Sequence, residues 1–340
     1  IHPLAGFIAG WISLLAGFTG AIALAALALE AYIVPPASRH VIPANTVATI
    51  TVLLAGLTHG LHVRYGAALQ TTAVAIKLVL ITGFVLYALL GTSVGAWEGV
   101  IAWRNAGPAG FSVSAFAMTL MWVSYSYSGF NASTYVTSEV KRASKNVPRT
   151  MIQGTLVIML VYLLLNGIFV FAPQPGDIAF KQDVAALAAF ALAGEPLANV
   201  MRGIFILALF TSVSAMVMAG PRVYAQMAAD GLMPAILKFR GQVPASAIAM
   251  QAALAIFLVW TTGLRELLSY LGFTLGLSAA LTVTSLFVAL RRRRVPAADL
   301  PGYPWAPLVF IVSTLTFAGL AALKNPAEML AALITILSAV

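Results

Sequence analysis

Ten runs of mainly apolar residues follow one another along this chain, at about residues 4–33, 42–60, 67–90, 111–137, 151–172, 200–220, 245–262, 266–290, 305–323 and 327–340. An α-helix rises 1.5 Å per residue, so about 20 such residues cross the roughly 30 Å hydrocarbon core of a bilayer. The breaks hold helix-stopping residues: Pro35-Pro36, the segment from Asn105 to Pro108, Pro173-Gln174-Pro175 and Asn325-Pro326. No run alternates polar with apolar over ten residues, which argues against barrel strands. The pattern is that of a polytopic, all-α integral membrane protein.

Composition excludes the main alternatives. Only 9% of the 340 residues are charged, against roughly 25% in soluble domains. That is too few to cover a water-facing surface, so a soluble enzyme is excluded. The net charge of +9 does not indicate a nucleic-acid groove, because long apolar runs separate the basic residues. Sorted by alternate loops, one side carries twelve Lys and Arg against three acids, and the other six against six. The basic side is expected to face the cytoplasm. Glu30 and Lys77 fall outside both sets. The chain has no cysteine, so it has no disulfide framework and no thiolate chemistry.

Lys77 lies ten residues from Ala67 and thirteen from Leu90, or about 15–20 Å from either end of its run. Its side chain reaches roughly 6 Å and cannot snorkel to the interface. It must face a polar interior, find a partner or lose its proton. Two readings stay open: a proton-coupling or cation-replacing group in a transport core, or a structural tether to neighbouring carbonyls.

The fourth run holds a polar, glycine-containing stretch from Ser124 to Asn131. Ser and Gly at mid-depth let a helix unwind, and freed backbone groups survive there only in a cavity or protein interior. Transporters place substrates at such breaks. The alternative is a continuous helix whose small residues permit close packing. The basic stretch from Ser138 to Arg149 reads as a solvated loop. Pro221 to Pro234 reads as a short amphipathic helix closed by Asp230-Gly231. His2, His40, His59 and His62 show no metal spacing, and no Walker A motif, nucleophile elbow or paired carboxylates in one span suggests a pump or hydrolase.

Specific motifs then suggest a family. YSYSGFNASTYVTSEVKRASKNVPRTM at 125–151 and GPRVYAQMAADGLMP at 220–234, with GFIAGWISLL at the start and RYGAALQTTAVAIKLVL around Lys77, resemble the amino acid–polyamine–organocation superfamily. The bacterial and L-type amino acid permeases are the most similar branch. The resemblance covers the chain from first span to last and implies one transmembrane domain with a LeuT-type fold of inverted five-helix repeats. The ten spans correspond to family helices three through twelve. Residues 1–110 would be the remainder of the first repeat, 111–290 the second repeat, and 291–340 the last two helices, the final one incomplete. The first two family helices, the first of which carries a Gly-rich break, are then expected to lie outside this sequence.

The resemblance also implies roles. Tyr125, Ser126, Tyr127, Ser128, Gly129 and Asn131 match the unwound substrate-binding segment. There the carbonyls of Tyr125, Ser126 and Ser128 would receive the substrate ammonium, the Tyr125 ring would act as a gate, and Asn131 would be a pocket residue. Lys77 matches a fifth-helix lysine that stands in for the sodium ion of sodium-driven relatives. Ser212 and Ser214 fall near that cation position. The implied function is secondary active transport of neutral amino acids across the inner, cytoplasmic membrane by proton-coupled symport and alternating access. The alternative is an exchanger of amino acids, polyamines or organic cations. No cofactor, metal or nucleic acid is implied. The expected partners are an amino acid, protons and the lipid bilayer, and the oligomeric state is not readable.

Overall fold

The computed structural model describes residues 3–34, 40–61, 66–93, 96–105, 110–129, 140–239, 241, 243–292 and 302–339. The described residues are overwhelmingly helical and form no strand. A first long helix is built from α1 (Pro3–Ile12), a π-helical stretch (Ser13–Gly20) and α2 (Ala21–Ile33). Then come α3 (Thr46–Leu61), α4 (Gly66–Leu86) with a π-helical end (Tyr87–Gly91), the short α5 (Glu98–Asn105) and α6 (Val113–Ser126). The chain continues through α7 (Ala143–Phe171), the single turn α8 (Pro175–Ile178), α9 (Val184–Ala229), α10 (Ala245–Thr261), α11 (Leu264–Arg291), α12 (Trp305–Ala322) and α13 (Pro326–Leu337). Six of the helical segments are long and apolar enough to cross a membrane, and four shorter apolar helices accompany them. Each corresponds to one of the ten apolar runs, and together they make a multi-pass membrane protein.

A seam of small residues runs through the core. Ala16, Ala23, Ala26, Ala48, Ala55 and Ala255 are fully buried where α2, α3, α9, α10 and α11 meet. Lipid solvates a leucine as well as a protein interior does, so helices associate in membranes largely where small side chains let backbones approach. Larger side chains such as Ile22, Leu267 and Leu271 fill the core beside them, whereas on α7 Ile152, Leu156, Val157, Leu160 and Leu163 are all more than half exposed. Such an apolar surface suits contact with lipid.

Two boundaries differ from the sequence reading. The stretch 143–149, expected as loop, forms the start of α7, with Pro148 in its second turn. A proline near a helix start removes a single intrahelical bond and does not end the helix. The stretch 221–229, expected as a separate short helix, continues α9 straight through Pro221, and termination comes at Asp230 and at Gly231, whose φ is +79°. The break in this 46-residue element lies earlier, at Ala193–Gly194, where Gly194 has φ +71°. The residues before it pack Ala185, Ala189 and Leu192 against Phe84 and Leu165 of α4 and α7.

Where α9 crosses the inner helices, Gly220 is buried. A Cβ there would lie 2.5 Å from Gln251 Nε2, 2.9 Å from Phe18 Cγ and 3.0 Å from the Tyr224 hydroxyl. Gln251 is fully buried and donates to that hydroxyl at 3.2 Å. Alanine recovers up to about 1 kcal/mol of helix propensity, but overpacking costs about 1–3 kcal/mol and the displaced amide loses about 1 kcal/mol more. Gly220→Ala is therefore expected to lower stability by about 1–3 kcal/mol, read as a lower thermal midpoint in detergent. An unchanged or raised midpoint would show that the seam yields at this point.

Candidate functional site

The polar stretch of the fourth run sits at a helix end. The Ser112 hydroxyl caps α6 by accepting from Ala115 N–H at 3.3 Å, and the helix stops at Ser126 after 14 residues. That is about 21 Å, short of the roughly 30 Å a full crossing needs. Tyr127 is the cap, with φ −98° and ψ 0°, and its N–H turns back to the carbonyls of Ser124 and Tyr125. The Ser126 hydroxyl donates to Val123 O at 2.7 Å, so it is spent on its own helix. α6 is held to α11 by Trp122, whose indole N–H donates to Ser269 at 3.3 Å and whose ring lies under the Arg265 guanidinium.

This helix end splits the expected site residues between two directions. Tyr125 packs into the central seam with residues of α2, α3, α9, α10 and α11. Ser126, Tyr127 and Gly129 turn the other way and, with α7, line a pocket of about 320 Å³. Ser128 continues the turn, and Asn131 lies outside the described residues. From the α7 side, Tyr162 reaches the break: its hydroxyl donates to Ser126 O at 3.3 Å, and its ring meets that of Tyr127 edge to face at 5.2 Å. Sequence reasoning missed Tyr162, because a tyrosine inside an apolar run carries no local sign of its partner. The available signal was one polar ring in an otherwise lipid-compatible helix.

Lys77 is part-buried on α4. It shares its face with Ala73, Ile81, Phe84 and Ala88 at spacings of four, four, seven and eleven residues. Ala73, Phe84 and Ala88 are buried, and Ile81 packs with Phe84 against α7 and α9. Lys77 therefore looks into the bundle. Its ammonium makes no hydrogen bond or ion pair among the described residues, and none joins it to Ser212 or Ser214. Those two hydroxyls are already engaged. Ser212 donates to Ala208 O at 2.8 Å, and Ser214 Oγ lies 2.7 Å from Nε2 of His59 on α3. His59, which the sequence left as a helix-end residue, thus ties α3 to α9.

A helix thus ends at a hydroxyl- and glycine-rich turn, next to a pocket and within a bundle of apolar helices. Sequence comparison is specific on the class: the family model described as amino acid permease matches residues 1–337. The chain belongs to the amino acid permease family, within the amino acid–polyamine–organocation superfamily, and is a transport-family protein, not an enzyme. Among its relatives is the large neutral amino acids transporter small subunit 2 of Mus musculus, 25% identical over 328 residues, covering 92% of this chain and 60% of the relative. The Asc-type amino acid transporter 1 of Homo sapiens is 26% identical over 333 residues, with 93% and 62% covered. The b(0,+)-type amino acid transporter 1 of Oryctolagus cuniculus is 25% identical over 304 residues, covering 84% and 60%. The chain spans about 60% of the length of these curated relatives.

Proposed function

We propose that this chain is the core of a secondary active transporter that moves neutral amino acids across the cytoplasmic membrane by alternating access, driven by protons. The observation that carries this reading is the end of α6 at Ser126, where a backbone carbonyl and a pocket meet beside a glycine turn. A zwitterion has no path through hydrocarbon. Carbonyl dipoles at a helix C-terminus carry partial negative charge and suit an ammonium group. In this reading the broken end of α6 holds the amine, Asn131 adds a pocket amide, and Tyr125, which packs into the seam on the other side of α6, anchors that end of the helix. Ser212 and Ser214 lie near the cation position, and Lys77 moves the proton. The LeuT-type repeat, with 111–290 as its second half, supplies the rocking element.

Family membership and the named activities of the three relatives support the amino acid substrate. The lone inward-facing lysine supports proton coupling. Exchange is the second reading, since a fixed lysine charge serves an exchanger equally well. The test is uptake into proteoliposomes of the purified protein, with labelled leucine and alanine. The expected result is accumulation that grows with an inward proton gradient, by about tenfold per pH unit for one proton per substrate. Uptake that needs internal amino acid and ignores the gradient would establish exchange. Absence of both uptake and counterflow would refute the transport reading.

A further inference from the structure

The face of α7 turned away from the pocket changes chemistry along its length. Helical residues advance about 100° each, so Lys145, Arg149, Ile152, Leu156, Leu160 and Leu163 fall within a sector of about 80° on α7. Lys145 and Arg149 are exposed, and the four apolar side chains are more than half exposed. The opposite side of the helix is the one turned to the bundle. It carries the buried Val147, Leu165 and Ile168, and the pocket-lining Gly154 and Ile158. The stripe thus begins with two cations one turn apart, about 6 Å along the axis, and continues as hydrocarbon. From Ile152 to Leu163 it runs about 16 Å, which is about half of the roughly 30 Å core and so the depth of one leaflet. α7 itself holds no Asp or Glu. Neither Lys145 nor Arg149 makes a hydrogen bond or an ion pair through its side chain among the described residues. Like charges four residues apart on a helix repel, and an anion seated between them removes that repulsion.

We propose that this face seats an anionic phospholipid of the cytoplasmic leaflet, its phosphate at Lys145 and Arg149 and an acyl chain along Ile152, Leu156, Leu160 and Leu163. Charge complementarity and the order of the stripe select this occupant. A phospholipid carries its charge at the interface and its hydrocarbon below, as the stripe requires, and basic residues beside a membrane helix attract anionic headgroups. A zwitterionic lipid offers the same chains, but its own ammonium competes with the two side chains for the phosphate. Inorganic phosphate has nothing to lay along the apolar part. The inference concerns the outward face of α7 and is independent of the transport reading.

The test is native mass spectrometry of the purified protein in detergent, with equimolar phosphatidylglycerol and phosphatidylcholine of identical acyl chains. The wild type is expected to retain phosphatidylglycerol in preference to phosphatidylcholine. Each Lys or Arg beside an anionic lipid is worth about fivefold in binding, so Lys145→Gln combined with Arg149→Gln should cut the preference by about thirtyfold. Lys238→Gln combined with Arg292→Gln removes the same charge from exposed positions on other elements and should leave the preference unchanged. Glycerol phosphate, a headgroup without chains, should not displace the bound lipid. All four positions are exposed, so both double variants should keep the wild-type thermal midpoint in phosphatidylcholine. Equal loss of preference in the two double variants, or loss in neither, overturns the site in favour of a diffuse basic surface. Displacement by glycerol phosphate overturns the acyl track. A wild type without lipid preference overturns the proposal, and a dimer in that case assigns the face to a second copy of the chain.

Discussion

Lys77→Met is expected to abolish the response of amino acid accumulation to an inward proton gradient while leaving a folded, binding-competent protein. One proton moving down a gradient of one pH unit contributes about 1.4 kcal/mol, enough for a tenfold accumulation ratio. Losing the coupling group should return that ratio to about one. Methionine keeps the length and apolar stem of lysine, so the packing beside Ala73, Ile81 and Phe84 survives. The charge that is removed makes no ion pair among the described residues. No buried partner there is stranded by the change, and a folding defect is not the expected result. Folding is checked by size-exclusion profile and thermal midpoint. Gradient-driven accumulation that persists in Lys77→Met would assign the proton elsewhere, and loss of the folded species would indicate a tether.

Glu30→Ala is expected to be the most destabilising of the substitutions considered, because Glu30 is a long-range helix cap. Its side chain is 2% exposed at the end of α2. The carboxylate accepts from Asn45 N–H at 2.8 Å and Ala48 N–H at 3.0 Å, at the start of α3. The first backbone N–H groups of a helix have no partner inside it, and a carboxylate placed there also meets the positive end of the helix dipole. Each hydrogen bond to a charged group contributes about 1.5–3 kcal/mol, so loss of the cap should cost about 3–6 kcal/mol. Glu30→Gln, which keeps one carbonyl acceptor, should recover part of that. The measurement is the thermal or denaturant midpoint in detergent for both variants. A Glu30→Ala midpoint within a degree or two of wild type would rule out the capping role.

Glu30 also shows where the sequence stops informing. Read along the chain it is a stray charge near the end of an apolar run, and nothing local indicates that residues 45–48 will complete its hydrogen bonding. Tyr162 is a similar case, as is His59, whose bond to Ser214 joins residues 155 positions apart. The motif residues fared differently. The stretch 125–129 stood out because its Ser and Gly are anomalous in an apolar run, and the helix does stop there. Its division, with Tyr125 turned into the seam and Ser126, Tyr127 and Gly129 turned toward α7, was not legible. A one-residue step moves a side chain about 100° around a helix, so neighbours in a motif need not share a surface. The two π-helical stretches, Ser13–Gly20 and Tyr87–Gly91, were equally silent, because nothing in an apolar run marks where the helical hydrogen-bond register widens.

What the sequence determined by itself was the class of the protein: all-α, membrane-embedded, ten apolar helices in order, with one lysine out of place. Apolar length is a local property, and a bilayer satisfies it without any tertiary contact. The tertiary structure decided which face of each helix meets which neighbour. In lipid those contacts depend on small residues, on isolated hydrogen bonds and on where helices end, and each requires a partner distant in the chain. Lys77 was conspicuous from the start, but the fold was needed to turn it inward. The pocket beside Ser126 exists only because α7 comes back across the end of α6.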